Sequence, residues 1–174
     1  LRPHTEELVP YLLLYWHRGK AIRAVGAGRA TLVSTGTGSG KTECFLYPVI
    51  SRGLELRDRK ADPGILAVFV YPMNALAEDQ LGRLRELLAG PGLTFGMYVG
   101  KTPRRSADVS GERLPAGASR DDYRAALEKA RTEKRNTAVH PPEELCSRDE
   151  MQETPPRILL TNVKELELLL TRQK

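Results

Sequence analysis

The stretch that decides the fold is "ATLVSTGTGSGKTECF", residues 30–45. It begins with a β-branched run (30–35), continues through a glycine-rich turn and ends in residues that open an apolar, helically spaced segment. This pattern predicts a short strand followed by a helix, which Pro48 and Gly53 are expected to kink or shorten. A strand joined to a helix by a glycine-rich turn indicates an α/β protein.

The turn has the chemistry of a phosphate-binding loop. Its glycines allow backbone N–H groups to converge on phosphate oxygens, and the following helix adds its N-terminal dipole. Lys41 would neutralise the β and γ phosphates and Thr42 would bind Mg²⁺, so these two are the predicted catalytic residues, with ATP and Mg²⁺ as cofactors. The Walker A motif has glycine where this chain has Thr35. The predicted ATP-binding residues of the loop are Thr35, Gly36, Thr37, Gly38, Ser39, Gly40, Lys41, Thr42 and Glu43.

The next segments continue an alternation of strand and helix. "ILAVFVYP" (65–72) is an apolar run that predicts a strand buried on both faces. Leucines at helical spacing predict a helix over 74–90, with Asn74 as N-cap and Gly90 as C′ residue. "LTFGMYVG" (93–100) predicts a third strand.

The same alternation returns near the end of the chain. "RILLTN" (157–162) predicts a fourth strand, and the amphipathic segment after it predicts a helix with Asn162 as N-cap and Glu165 at N3. Strands separated by helices predict a parallel sheet with helices on both faces.

Residues 103–156 interrupt this pattern and are predicted to be a long, charged and partly mobile insertion. Charged residues over 121–136 indicate a surface helix, and Ser147 with Glu150 fits a capping box. Residues 101–135 contain ten basic and six acidic residues, which is most of the formal net charge of +5. Such a segment fits either a polyanion partner or an ordinary solvated surface.

Composition excludes several classes of protein. The 174 residues are 40% hydrophobic and 28% charged, as in an ordinary globular protein, and no apolar run approaches the length of a membrane span. Cys44 and Cys146 match no metal-binding spacing and are predicted to be reduced thiols. The expected location is the cytoplasm, without membrane contact.

The residues alone do not show which process the bound nucleotide would drive. None of the predicted strands ends in the acidic pair that would hold Mg²⁺ and orient an attacking water. A nucleic-acid motor, a nucleotide- or partner-binding module without turnover, and a small-molecule kinase all remain compatible with the loop. The kinase is the weakest of these because the segment "YPMNALAEDQ" would have no role in it.

An ordered set of motifs resembles one family. "TGTGSGKTE", "YPMNALAEDQ", "YVGKTP" and "PPRILLTNVKELELLLTRQ" occur in the order expected for the first RecA-like domain of a superfamily-2 DEAD/DEAH-type helicase. The sequence of these motifs is most similar to that of large bacterial DNA helicases of the Mrf repair type and the DISARM anti-phage type. The resemblance is weakest over 103–140.

The resemblance implies a role for each strand-end segment. These segments would grip the sugar-phosphate backbone of a nucleic acid, with DNA favoured over RNA, at the carboxyl edge of the sheet. Thr5 stands where many relatives have the glutamine that recognises adenine, which leaves base selectivity open. The implied nucleic-acid-binding residues are Pro72, Met73, Asn74, Gln80, Gly100, Thr161 and Asn162.

The resemblance also implies how much of a motor this sequence holds. Residues 1–174 would be the N-terminal part of an incomplete RecA-like P-loop domain, without the acidic Walker B motif or the second motor domain. We expect this segment alone to be inactive and to act with the rest of the helicase or with partner proteins. The alternative is a catalytically inactive nucleotide- or partner-binding module from a truncated helicase.

Overall fold

The computed structural model describes residues 16–34, 36, 40–134 and 137–171, with the backbone alone for 16–18. The chain divides into two compact units, residues 1–61 and 62–174. The predicted adenine-side residue Thr5 and the loop residues Thr35, Thr37, Gly38 and Ser39 lie outside the described residues.

The first unit contains two helices that pack against each other, α1 (Trp16–Gly26) and α2 (Lys41–Asp58). The expectation that Pro48 and Gly53 shorten the second helix is wrong, because α2 runs through both for 18 residues. Its apolar face includes Cys44 and Ile50, both fully buried. Burial of that face offsets the backbone hydrogen bond that proline cannot donate.

The strand predicted over 30–35 is also wrong for the residues described, since 30–34 form no strand. The Leu32 side chain is 94% exposed, and the Thr31 hydroxyl donates to the Arg29 carbonyl at 2.8 Å. A β-branched run becomes a strand only where a neighbouring strand supplies hydrogen bonds and packing. The described part of the first unit contains no such neighbour.

The second unit is built on a parallel sheet with helices, the arrangement of a RecA-like α/β domain. Its main sheet contains, in order across the sheet, β1 (Ala67–Tyr71), β6 (Ile158–Asn162), β2 (Phe95–Tyr98) and β5 (Glu144–Leu145), and every neighbouring pair is parallel. The core includes Phe95, Ile158 and Leu160 of the sheet, all fully buried. In chain order the elements are β1 (Ala67–Tyr71), α3 (Asn74–Leu88), β2 (Phe95–Tyr98), a 3-10 helix (Ser106–Asp108), β3 (Glu112–Arg113), α4 (Arg120–Thr132), β4 (Val139–His140), β5 (Glu144–Leu145), α5 (Arg148–Glu153), β6 (Ile158–Asn162) and α6 (Val163–Thr171).

Strand β1 is less buried than the sequence predicts. Val68 and Val70 are 44% and 41% exposed, so one face of the strand is open in the structure. Within the described sheet β1 is an edge strand that pairs with β6 alone. The prediction of burial on both faces, which suits an interior strand of a parallel sheet, is therefore wrong here.

The insertion is more structured than its composition indicates. The predicted surface helix is confirmed as α4, and the capping box at Ser147 and Glu150 is confirmed at the start of α5. Three strands were not predicted: β3 and β4, which pair with each other, and β5, which joins the main sheet beside β2. The insertion therefore takes part in the sheet as well as in the surface.

None of the described helices is long and apolar enough to span a bilayer.

Candidate nucleotide and nucleic-acid sites

Gly40, the last glycine of the predicted phosphate-binding loop, lies directly before α2. Gly40 precedes the helix with φ of 77°, a left-handed conformation that glycine adopts without strain. As the N-cap residue, glycine offers no side chain to the backbone N–H groups of the first turn, and these groups are left without an intrahelical partner. The start of α2 therefore has the donors that an anion requires.

The predicted catalytic pair lies in the first turn of α2. The Lys41 ammonium donates to the Gly36 carbonyl at 2.8 Å, so the side chain folds back along the loop that it is predicted to serve. Thr42 is half-buried beside it, and Glu43 is 8% exposed. These positions fit the ATP and Mg²⁺ chemistry predicted from the sequence.

Strand register brings the other predicted segments to one edge of the second unit. Tyr71 pairs with Asn162 at the ends of β1 and β6, and Tyr98 at the end of β2 pairs with Thr161. Because the three strands are parallel, the segments that follow them emerge at the same edge. We call this edge, with Pro72–Asn74, Gly100–Lys101 and Asn162, the strand-end edge.

Two asparagines connect the strand-end edge. Asn162 is confirmed as the N-cap of α6, since its Oδ1 accepts from the Glu165 backbone N–H at 2.6 Å. Asn74 is not the N-cap of α3, because the helix begins at Asn74 and Met73 occupies the cap position. The Asn74 Oδ1 instead accepts a 2.6 Å hydrogen bond from the Asn162 Nδ2, which joins the segments after β1 and β6.

The helices at the candidate sites differ from the helices after them in how their N-termini are capped. Helices α4, α5 and α6 each have a side chain that caps the N-terminus: Ser119, Ser147 and Asn162. Helices α2 and α3 have Gly40 and Met73 at that position and no side-chain cap. Among helices α2 to α6, the two starts that the sequence assigns to phosphate binding are thus the two whose N-cap residue makes no side-chain hydrogen bond to the first turn.

The remaining predicted residues differ in exposure. Pro72 and Gly100 are exposed, Met73 is 62% exposed, and the Gln80 amide donates to Asp79 at 3.0 Å. Thr161 is fully buried, and its hydroxyl donates to the Tyr98 carbonyl at 2.7 Å. Its side chain therefore holds β2 against β6 and leaves no surface for a nucleic acid.

Most basic side chains of the predicted polyanion segment have local partners. Lys101 pairs with Glu78, and Arg113 pairs with Glu150 at 2.5 Å. Arg120 donates to the Leu87 carbonyl at 2.7 Å. Arg104 and Arg105 are exposed, and none of the described residues pairs with their side chains. A polyanion contact in this segment stays a prediction, and Lys129 and Lys134 are likewise exposed.

Sequence reasoning missed a buried polar cluster of His140, Glu144, Cys146 and Arg85. Both Glu144 oxygens accept from Arg85 at 2.7 Å, and one of them lies 3.0 Å from His140 Nδ1. Burial opposes ionisation of Glu144, but these hydrogen bonds outweigh it and lower the pKa of the carboxyl. Burial raises the pKa of the Cys146 thiol to about 12.

The spacing of this cluster could suit a metal ion, because ligand atoms of His140, Glu144 and Cys146 lie within 4.8 Å of one another. However, the Arg85 guanidinium already pairs with the carboxylate at 2.7 Å, and burial disfavours the thiolate form of Cys146. A metal needs a thiolate and would lie beside a fixed positive charge. We assign the cluster to structure: it joins α3 to the insertion.

Comparison with known proteins gives consistent results. The family profile described as DEAD/DEAH box helicase matches residues 17–114, more than half of the chain. "Druantia protein DruE" of Escherichia coli is 40% identical over 114 residues, covering 53% of this chain and 6% of that protein. "ATP-dependent RNA helicase HAS1" of Debaryomyces hansenii is 40% identical over 88 residues, covering 51% of this chain and 15% of that protein.

The protein of that name from Gibberella zeae is 38% identical over 93 residues, again covering 15% of its length. The chain thus spans less than a fifth of each of these relatives. The profile match covers the phosphate-binding loop, β1, α3 and β2, the elements that also carry most of the predicted contacts. The chain therefore belongs to the DEAD/DEAH box helicase family.

Proposed function

We propose that the intact protein is an ATP-dependent helicase or translocase whose nucleic-acid track is DNA. One observation carries the proposal: the N-termini of α2 and α3 have no side-chain cap, whereas α4, α5 and α6 do. Both of these helix starts coincide with segments that the sequence assigns to phosphate binding. Backbone N–H groups at such a terminus bind phosphate without reading bases, as a motor on any sequence requires.

The nucleotide side of the proposal rests on Gly36, Gly40, Lys41 and Thr42. The left-handed Gly40 lets the backbone turn into the helix, and the Lys41 ammonium is within reach of the loop carbonyl of Gly36. Lys41 would exchange this carbonyl for phosphate oxygens, and the Thr42 hydroxyl would hold Mg²⁺. The bound metal supplies charge neutralisation during phosphoryl transfer.

The nucleic-acid side rests on the strand-end edge. Asn74 and Asn162 are fixed by their mutual hydrogen bond, and Gly100 is exposed with no Cβ to block a close backbone approach. The choice of DNA follows from the resemblance to bacterial Mrf-type and DISARM-type helicases, which also suggests a setting in repair or anti-phage defence. The HAS1 relatives, named as RNA helicases, make RNA the competing track.

The test is nucleic-acid-stimulated ATP hydrolysis by the full-length protein. We expect single-stranded DNA to raise the rate more than single-stranded RNA of the same length. Lys41→Ala should abolish turnover, while Lys129→Ala, at an exposed position of α4, should not. Asn74→Ala should weaken the stimulation, while Gln152→Ala, an exposed amide of α5, should leave it unchanged.

Each other outcome has a defined meaning. Stimulation by RNA alone would refute the choice of DNA and keep the motor. Binding of ATP and DNA without turnover would refute the motor and favour a binding module. Phosphate transfer to a small acceptor, independent of nucleic acid, would favour a kinase.

A further inference from the structure

The segment after β2 is a tight turn with its own hydrogen bonds. The Thr102 hydroxyl donates to the Met97 carbonyl at 2.8 Å and accepts from the Val99 N–H at 2.9 Å. The Thr102 N–H closes the turn on the Val99 carbonyl at 2.9 Å. These bonds shape the turn but do not fix where it sits at the strand-end edge.

Arg148 of the insertion fixes its position. The Arg148 Nη2 donates to the carbonyls of Val99 and Gly100, both at 3.0 Å, and its Nε donates to the Thr102 carbonyl at 3.2 Å. The guanidinium carbon lies 4.9 Å from the centre of the Tyr98 ring, within cation–π range. One side chain therefore contacts four groups of the turn: the Tyr98 ring and the carbonyls of Val99, Gly100 and Thr102.

Arg148 is itself held from both sides. Its backbone N–H donates to the Pro103 carbonyl at 2.9 Å, and the capping box of Ser147 fixes the start of its helix. On the other side its Nη2 is 3.9 Å from the carboxylate of Glu165, in the first turn of α6. The Glu165 backbone is in turn capped by Asn162, which donates to Asn74.

These contacts form one chain across the strand-end edge, from the segment after β1 through β6 to the turn after β2. We propose that Arg148 is a positioning residue for nucleic-acid binding, by which the insertion sets the Gly100 turn at the strand-end edge. This inference rests on the proposed function, since it assigns a task at the same site. It makes the insertion part of the site rather than a solvated surface loop.

The geometry favours positioning over direct contact with phosphate. The Arg148 side chain is 27% exposed, and three of its five N–H donors are used on backbone carbonyls. A lysine at this position would keep the charge but could not reach three carbonyls from one planar fork. Arg148→Lys therefore separates the loss of geometry from the loss of charge.

The experiment compares Arg148→Lys with Arg131→Lys in the full-length protein. Arg131 also belongs to the insertion and also holds an ion pair, to Glu128 at 3.7 Å, but both side chains lie on the exposed face of α4. We expect Arg148→Lys to weaken binding of a single-stranded oligonucleotide about fivefold, a size typical of changes along a coupling network. Arg131→Lys should change the affinity less than twofold. Affinities are measured where urea curves show all variants to be folded.

Amide hydrogen exchange at Val99 and Thr102 supplies a readout that needs no nucleic acid. Both amides should exchange faster in Arg148→Lys and at the wild-type rate in Arg131→Lys. Full binding by Arg148→Lys, or unchanged exchange at the two amides, would overturn the inference. If the wild type binds neither DNA nor RNA, the proposed function fails, and the exchange rates still decide whether Arg148 holds the turn.

Discussion

Gly96 in β2 provides a direct test of how the insertion packs on the sheet. A Cβ built on this residue would lie 2.8 Å from the Leu145 carbonyl oxygen and 2.9 Å from the Met151 Sδ. Leu145 belongs to β5 and Met151 to α5, so both neighbours come from the insertion. Met151 could move by changing rotamer, but the carbonyl is backbone and can retreat only with its strand.

The cost of Gly96→Ala follows from these two contacts. Overpacking a well-packed site costs typically about 1–3 kcal/mol. If β5 moves away instead, it weakens the short β2–β5 ladder, in which Phe95 pairs with Glu144 and Gly96 with Leu145. Each backbone hydrogen bond lost there costs about 1 kcal/mol. By either route we expect a loss of roughly 2–3 kcal/mol in the free energy of unfolding.

Urea unfolding followed by circular dichroism measures this loss, and Gly82→Ala is the matched control. Gly82 lies within α3, and a Cβ there meets no heavy atom within 4 Å. Alanine should therefore stabilise the helix by about 0.5–1 kcal/mol. Glycine-to-alanine substitution is therefore expected to lower the free energy of unfolding at Gly96 and to raise it at Gly82. A Gly96→Ala variant as stable as the wild type would refute the packing of β5 and α5 against β2.

Three further changes test the insertion. Arg85→Met leaves the Glu144 carboxylate buried without its cation and should cost about 3–5 kcal/mol in urea unfolding. Burial opposes ionisation of Glu150, but hydrogen bonds from Ser106, Arg113 and two backbone amides lower its pKa from 4.5 to about 2. Its stabilisation is therefore complete above pH 4.5 and lost as the pH falls towards 2, and an acid titration of Glu150→Gln should lack this part of the loss. Burial raises the pKa of Cys146 to about 12, so iodoacetamide at pH 8 should label this thiol, measured by mass spectrometry, only after unfolding.

The sequence predicted the elements whose signals are local and periodic. Leucine spacing located α3, and apolar runs located β2 and β6 to within two residues at each end. The capping signals at Ser147 and Asn162 were confirmed because a cap needs only residues within the same turn. These features depend on short-range physics, which a single sequence records.

The features that sequence reasoning missed depend on distant partners. The run at 30–35 has strand propensity, but the described residues of its own unit supply no strand to pair with it. β5 has only two residues and no apolar run, and it exists because β2 lies beside it. Arg148 fell outside the basic stretch noted at 101–135, and nothing local marks it as the residue that holds the carbonyls of Val99 and Gly100.

The hydrogen bonds within the strand-end edge also restrict how this edge could bind a nucleic acid, as proposed. The Asn162 Oδ1 accepts from the first turn of α6, and the Asn162 Nδ2 donates to the Asn74 Oδ1. The Asn74 amide and the backbone N–H groups in the first turn of α3 remain as donors without side-chain partners among the described residues. Donors alone match phosphate oxygens, whereas reading a base edge requires donors and acceptors in a set pattern. The strand-end edge would therefore suit a nucleic acid of any sequence. The groups that would bind this nucleic acid are already fixed in place before it arrives.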